Sequence, residues 1–450
     1  MVKKMAKKKV IILGAAGRDF HNFNIYFRNN PEYEVVAFTA AQLPEIAGRK
    51  YPPELAGPNY PNGIPIYDES ELPKLIKEHN IDIAVLAYSD LSFDYIMERA
   101  SIANAAGASF MLLGPKDTMI ETEKPLIIVT ATRTGAGKST VSRKLGKILS
   151  KKGKKIVAIR HPMPYGDLSK QIVQRFATYE DLDKHKVTFE EREEYEHWID
   201  NGFVIYAGVD YEKILKQAEQ EADIIIWDGG NNDWSFYKSK KQLYITVADA
   251  LRPGHELNYW PGSVNVRLAD VVIINKVLEA CEEDVDEVEE NVRAVNPNAE
   301  VLYAVSYITV DRPEFVRGKR VLVVEDGPTV THGEMAYAAG YRAAIRYQAG
   351  EIVDPRPFAV GDLKEAYEKY PHMAEVVPTL GYSDKEKAEL EETIRRAVQE
   401  GGVEAIIAGT PIDLGRLIKV EVPIVRVQYE LREIGDKNLE DIINDFLARI

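Results

Sequence analysis

From Ile127 to Thr140 the sequence reads IIVTATRTGAGKST, an apolar run that stops in small residues, one arginine and one lysine. Gly135, Gly137, Lys138, Ser139 and Thr140 match the latter part of the phosphate-loop pattern G-x-x-x-x-G-K-[ST], while Thr132 stands where its first glycine belongs. Small residues there let the backbone N–H groups of Thr134, Gly135, Ala136 and Gly137 turn inward onto phosphate oxygens. Lys138 would reach the β- and γ-phosphates, and Ser139 would offer its hydroxyl to Mg2+. The stretch TVSRKLGKILSKKG predicts a helix whose N-terminal dipole faces the same anion. Downstream, ADIIIWDGG is an apolar strand ending in acid, which makes Asp228 the carboxylate on the Mg2+ side. A glycine turn ahead of a helix would not require that acid-ended strand. The combination points to nucleotide binding.

The form T-x-T-G-x-G-K-[ST] resembles the loop of dethiobiotin synthetase and its relatives in the MinD-like branch of P-loop proteins. The resemblance implies a second basic residue five positions before the loop lysine. Arg133 fills that slot and would stabilise charge on a transferring phosphoryl group, including across a dimer interface; otherwise it is an exposed loop arginine. The run DVVIINKVLEA supplies Asn275 and Lys276 of the guanine signature N-K-x-D, but Leu278 replaces the discriminating aspartate. Leucine cannot accept hydrogen bonds from a guanine edge, so the expected nucleotide is ATP with Mg2+, Asn275 and Lys276 remaining nucleotide-binding candidates.

Four further segments bring cations and acids together at strand ends, where α/β folds place ligands. GAAGRDFHNFN offers Arg18 and His21, IRHPMPYGDL offers Arg160 and His161, ADALRPGHELNYWPG offers Arg252 and His255, and VEDGPTVTHGEM offers His332 and Glu325. One such loop is ordinarily a turn with a helix cap. Four of them suggest a pocket for a small polyanion, with Mg2+ held among Ser139, Asp228 and Glu325. No tight histidine spacing supports zinc.

Taken together, GAAGRDFHNFN, TATRTGAGKST, IRHPMPYGDL, IIIWDGGNND, LRPGHE and EDGPTVTHGEM resemble the archaeal family of cyclic 2,3-diphosphoglycerate synthetase, whose relatives are often labelled predicted GTPases. The resemblance spans nearly the whole chain. It implies an ATP-dependent ligase that closes 2,3-diphosphoglycerate into its cyclic pyrophosphate. Phosphoryl transfer to one substrate phosphate and displacement of inorganic phosphate by its neighbour would do this, aided by proximity and charge neutralisation. Lys138, Arg133 and Asp228 would then be catalytic. Arg18, His21, Arg160, His161, Arg252, His255 and His332 would hold substrate phosphates. Two rivals stand beside this reading: a GTPase switch of the metallochaperone or maturation type, and another ATP-dependent small-molecule ligase that activates a carboxylate. A bifunctional chain with a dinucleotide-binding N-terminal unit is a weaker third, because Gly14 and Gly17 give only a fragment of that fingerprint.

The elements that must carry these loops alternate short β-rich runs with amphipathic stretches, the pattern of parallel α/β architecture. KVIILG, EVVAFT, DIAVLAY and SFMLLG predict the strands of a Rossmann-like domain over 1–120. LIIVTAT, KIVAIR, DIIIWDGG, LYITVAD, DVVIINK, EVLYAVS and RVLVVEDG predict a P-loop NTPase core over 121–330. EAIIAGTP and VPIVRVQ belong to a C-terminal α/β part, 331–450, which could extend the core sheet or stand apart. The acidic run EEDVDEVEENV reads as a solvated helix face.

The 450-residue chain is about three times the usual domain length. Its hydrophobic fraction of 45% is ample for sizeable cores. A net charge of −14 argues against nucleic acid or an acidic membrane as partner. The single cysteine, Cys281, excludes an intramolecular disulfide and a cysteine metal cluster, and fits a reducing cytoplasm. The lysine-rich start imitates a signal peptide, but its apolar stretch ends at Arg18, too short for an h-region or a membrane span. A homodimer is the default expectation.

Overall fold

The computed structural model describes residues 6–15, 17–41, 48–161, 166–230, 232–331, 335–381 and 383–450. They form two compact units, one comprising 1–188, 194–305 and 432–450, the other 189–193 and 306–431. Segments 1–120 and 121–330 of the sequence therefore share most of one unit, and the segment 331–450 is divided between the two.

The first unit contains two largely parallel sheets. The N-terminal sheet consists of β1 (Lys8–Leu13), β2 (Tyr33–Ala40), β3 (Ile64–Asp68), β4 (Ile83–Leu86) and β5 (Ser109–Leu112). Its order is β3-β2-β1-β4-β5, all parallel, with Lys50–Tyr51 antiparallel on the outer edge of β3. Val10 and Ile12 of β1 pack into one core, and Ile11 and Leu13 into another on the opposite face. A strand buried on both faces must be apolar at every position, which is why KVIILG shows no alternation. Helix α1 (Arg18–Asn22) follows β1 and continues into a π-helical turn, Phe23–Phe27.

The second sheet carries the phosphate loop. Its strands are β6 (Leu126–Ala131), β7 (Ile156–Arg160), β8 (Val173–Phe176), β9 (Val204–Gly208), β10 (Ile224–Asp228), β11 (Gln242–Asp249), β12 (Val271–Asn275) and β13 (Glu300–Val310). The order is β8-β9-β7-β10-β6-β11-β12-β13, and only β8 runs antiparallel to its neighbour. Because the strands are parallel, their C-terminal ends meet on one side. Arg160 pairs in register with Asp228, Ala131 with Val247, and Asp249 with Asn275. Helix α2 (Lys138–Lys151) begins directly after the loop, and α3 (Phe189–Ile199) precedes β9. In the helix Glu282–Val295 the valines Val288 and Val292 are fully buried, while Glu282, Glu283, Asp286 and Glu287 face solvent.

The second unit has its own parallel strands, β14 (Arg320–Glu325), β15 (Ala405–Gly409) and β16 (Ile424–Ile434), with Glu351–Ile352 at the outer edge of β14. Leu322 and Val324 pack on one face and Val321 and Val323 on the other. Helix α4 (Ala339–Arg346) packs against β14 and β15. Among the described residues, no helix is long and apolar enough to cross a membrane.

Candidate functional site

The loop from Thr132 to Gly137 leaves the end of β6, which lies between β10 and β11. Gly135 and Gly137 adopt φ of +84° and +110°, conformations that residues with a Cβ rarely take. Thr132 itself is buried, and its N–H donates to the Val247 carbonyl at 2.9 Å. Gly262 backs onto it so closely that a Cβ there would sit 2.1 Å from the Thr132 carbonyl oxygen. Small size is thus demanded of residue 262, across the fold, rather than of residue 132. Asn275 braces the loop from the neighbouring strand end, its Nδ2 donating to the Ala136 carbonyl at 2.7 Å.

Lys138, the first residue of α2, points its Nζ at Asp228 Oδ1, 2.5 Å away. Ser142 donates to the same oxygen at 2.9 Å, and Trp198 Nε1 donates to Oδ2 at 3.1 Å. Arg160 stands 3.5 Å from Oδ2 by one nitrogen and 2.6 Å from Glu194 by another. Burial alone would raise the Asp228 carboxyl, but Lys138 and Arg160 outweigh it and hold it well below the usual range. Burial lowers the Lys138 ammonium, with Asp228 opposing. A largely buried lysine beside one carboxylate is poised to exchange that partner for phosphate oxygens.

A second carboxylate, Asp233, sits five positions along the same loop. Arg18 Nε donates to its Oδ1 at 2.7 Å, Ser89 donates to the same oxygen, and His161 Nδ1 lies 2.6 Å from Oδ2. Arg18 also donates to the Trp234 carbonyl and lies over the Trp234 ring, 4.1 Å from its centroid. Burial would raise Asp233, but Arg18 and His161 bring it down to about 2. His21 is buried with its ring stacked on Phe236, and its Nε2 lies 2.6 Å from the Thr118 carbonyl. A carbonyl only accepts, so Nε2 carries the proton; burial drives this imidazole down to about 3.

On the other side of the phosphate loop, Arg133 Nε donates to Asp90 Oδ1 at 2.7 Å and its Nη1 lies 2.8 Å from His255 Nδ1. The guanidinium stacks on Tyr259 at 3.8 Å, and the His255 ring stacks on the same tyrosine at 4.4 Å. Arg252 donates to the Thr134 carbonyl at 3.0 Å and stands 3.5 Å from Asp249, which also holds Lys276 at 2.8 Å. Leu278 is exposed. Glu325 belongs to the second unit. There its two oxygens accept the N–H groups of Ala338, Gly340 and Tyr341 at the start of α4, and burial raises its pKa to about 6. His332 lies outside the described residues.

Lys138, Arg160, Arg18, His161, Arg133, Arg252, His255 and Lys276 are therefore gathered around the strand ends of one unit, most of them resting on one of four aspartates. Among the described residues no group of three or more His, Cys, Asp or Glu is arranged to hold a metal ion alone. The Asp228 oxygens receive N–H and O–H donors from Lys138, Ser142 and Trp198.

The residues that sequence reasoning passed over are Ser89, Asp90, Glu194, Trp198, Asp233 and Tyr259. Asp90 and Asp233 each follow a strand by a few residues, so the strand-end rule applied to AYSD and NNDW would have found them. Tyr259 is brought to Asp90 by a two-residue antiparallel ladder between Leu91–Ser92 and Tyr259–Trp260, for which the sequence carries no marker.

No protein-family model matches the chain. It is 60% identical over 440 residues to a protein of Thermococcus kodakarensis named arginine synthetase ArcE, covering 98% of this chain and 97% of that one. Against a cyclic 2,3-diphosphoglycerate synthetase of Thermococcus sibiricus it is 27% identical over 120 residues, 26% of either chain. That resemblance therefore covers about a quarter of the molecule in this comparison, not nearly the whole. Among solved structures, LpxK from Aquifex aeolicus in complex with ATP covers 79% of this chain and 95% of its own, with TM-score 0.44 and 13% identity. Cobyrinic acid a,c-diamide synthase from Mycobacterium smegmatis, with bound ATP analog and magnesium, covers 40% and 72%, with TM-score 0.19 and 16% identity.

Proposed function

The chain belongs to the family of the Thermococcus kodakarensis arginine synthetase ArcE, and on that premise we propose that it is an ATP-dependent ligase that forms arginine. The observation that carries the reading is the 60% identity over 98% of the chain. The site supplies the means, a phosphate loop with Lys138 beside Asp228.

The chemistry follows from the product. Replacing one guanidinium nitrogen of arginine by oxygen gives its ureido analogue, citrulline, whose carbonyl is a poor electrophile. Transfer of the γ-phosphoryl group of ATP to the ureido oxygen releases ADP and makes that oxygen a leaving group. Ammonia then adds its lone pair to the carbon, the C–O bond breaks, and inorganic phosphate leaves with the oxygen. Backbone amides from Thr134 to Thr140 would cradle the triphosphate, and Lys138 would leave Asp228 to neutralise its terminal phosphates. Ser139 would hold Mg2+, which when bound draws charge from the phosphate oxygens. Arg160 and Arg133 stand ready to meet charge developing on the transferred group.

The site mixes cations with carboxylates, Arg18, Arg133, Arg160 and Lys276 each resting on an aspartate, which suits a zwitterionic amino acid. The second reading, closure of 2,3-diphosphoglycerate to its cyclic pyrophosphate, draws support from the similarity over 120 residues. One experiment separates them. Protein with Mg2+–ATP is given citrulline and ammonium, or 2,3-diphosphoglycerate, and the products are followed by chromatography and phosphorus NMR. Arginine with stoichiometric ADP and phosphate is the expected result. A cyclic pyrophosphate resonance instead, or ATP hydrolysis indifferent to either substrate, would overturn it.

A further inference from the structure

Arg133 sits in a receptor built for a guanidinium group. Asp90 takes its Nε–H at 2.7 Å, His255 Nδ1 lies 2.8 Å from its Nη1, and Tyr259 presents its ring face at 3.8 Å. A guanidinium can only donate, so Nδ1 is the bare nitrogen of a neutral imidazole; burial, then Arg133 and Arg252, lower the His255 pKa and keep it so. Carboxylate, imidazole acceptor and aromatic face are the complements of a planar cation with several N–H groups.

The receptor is formed by backbone, not by Arg133. Leu91–Ser92 pairs with Tyr259–Trp260, fixing Asp90 and Tyr259 on adjoining chains. Asp90 is held at φ +61°, a conformation non-glycine residues seldom adopt away from functional sites. The His255 ring is itself stacked on Tyr259, at 4.4 Å. The arrangement is also partly open, Arg133 being 19% and Asp90 18% exposed. An arginine within the phosphate loop has a stronger partner available, because a bound triphosphate carries several negative charges against the single charge of Asp90.

We infer that Asp90, His255 and Tyr259 form the binding site for the guanidinium or ureido head of an arginine-class substrate, and that Arg133 leaves this site for the phosphates when nucleotide binds. The inference rests on the arginine-forming reading and adds to it the place of the second substrate and the order of binding. Nucleotide draws Arg133 onto its phosphates, which vacates the receptor beside the phosphoryl group that must be transferred. Nucleotide binds first, and arginine or its ureido analogue second.

The test is calorimetric titration of L-arginine into the full-length protein, with and without Mg2+ and a non-hydrolysable ATP analogue. Wild type is expected to bind arginine at least about tenfold more tightly when the analogue is present. Arg133→Ala is expected to bind arginine without nucleotide as tightly as wild type does with it, a gain of affinity from removing a cation. Asp90→Asn and Tyr259→Leu are expected to weaken arginine binding about tenfold or more in either state. Arginine binding that ignores Asp90→Asn, or that Arg133→Ala leaves unchanged without nucleotide, overturns the receptor and leaves the arginine-forming reading intact. Absence of arginine binding in every form overturns both.

Discussion

Arg18 donates its Nε–H to Asp233 Oδ1 at 2.7 Å, with both side chains buried and one carried by α1, the other by the loop behind β10. His161 leans on the second oxygen of the same carboxylate. Removing Asp233 would strand two cationic or polar groups away from water. Asp233→Ala is expected to destabilise the first unit by about 3–5 kcal/mol in urea unfolding. Arg18→Met combined with Asp233→Ala should cost less than the two single changes together. Additive costs would show that the pair is not coupled.

Trp198 donates its indole N–H to Asp228 Oδ2 at 3.1 Å. Trp198→Phe keeps most of the ring and deletes that donor, leaving Asp228 Oδ2 without it and the carboxylate less firmly oriented. Turnover is expected to fall about 10–100-fold with little change in the KM for ATP, the signature of a positioning residue. Lys138→Ala, by contrast, should abolish turnover and weaken nucleotide binding itself. Equal effects of the two substitutions on KM would argue against the division.

Two imidazoles give stability a dependence on mild acid. His21 and His197 are each lowered to about 3, by burial first in both cases, from an ordinary value of 6.5. The folded chain therefore holds fewer protons than the unfolded one between those limits. The stability they contribute is complete above about pH 6.5 and declines as pH falls toward 3, at up to about 1.4 kcal/mol per pH unit for each group. Thermal unfolding at pH 7.5 and pH 5 should show the decline, and His21→Gln should reduce it. An unchanged pH dependence in that variant would remove His21 from the account.

In the second unit, Glu325 fills the space left by two glycines. A Cβ at Gly409 would come 2.2 Å from Glu325 Oε2 and 2.5 Å from the Gly340 nitrogen. Gly409→Ala is expected to cost about 1–3 kcal/mol by overpacking and to break the bonds from Gly340 and Tyr341 to the carboxylate. Limited proteolysis should then cut within 306–431 before it cuts the first unit. Uniform loss of both units would contradict the local origin of the strain.

Much of this architecture could be read from residue order alone. β6, β7, β10, β11 and β12 each lie within an apolar run noted in the sequence, because a parallel strand with both faces covered has to be apolar throughout. The phosphate loop was equally plain, since its glycines and lysine are consecutive. β8 was missed: VQRF alternates and is short, and its pairing with β9 depends on a partner some thirty residues away. The cation clusters and Asp228 are legible in the sequence, but Asp90 and Asp233 are not, because they come from segments remote from Arg133 and Arg18. Glu325 shows the same gap from the other direction. Its sequence context resembles a ligand loop, and its carboxylate is spent on the amides of α4.

The short ladder joining Ser92 to Tyr259 ties together parts of the chain that are far apart in sequence. Contacts of that kind close large loops and form late, after local helices and hairpins have settled. Fraying of the ladder's two residue pairs would part Asp90 from Tyr259 while leaving the strand beneath the phosphate loop flanked by β10 and β11.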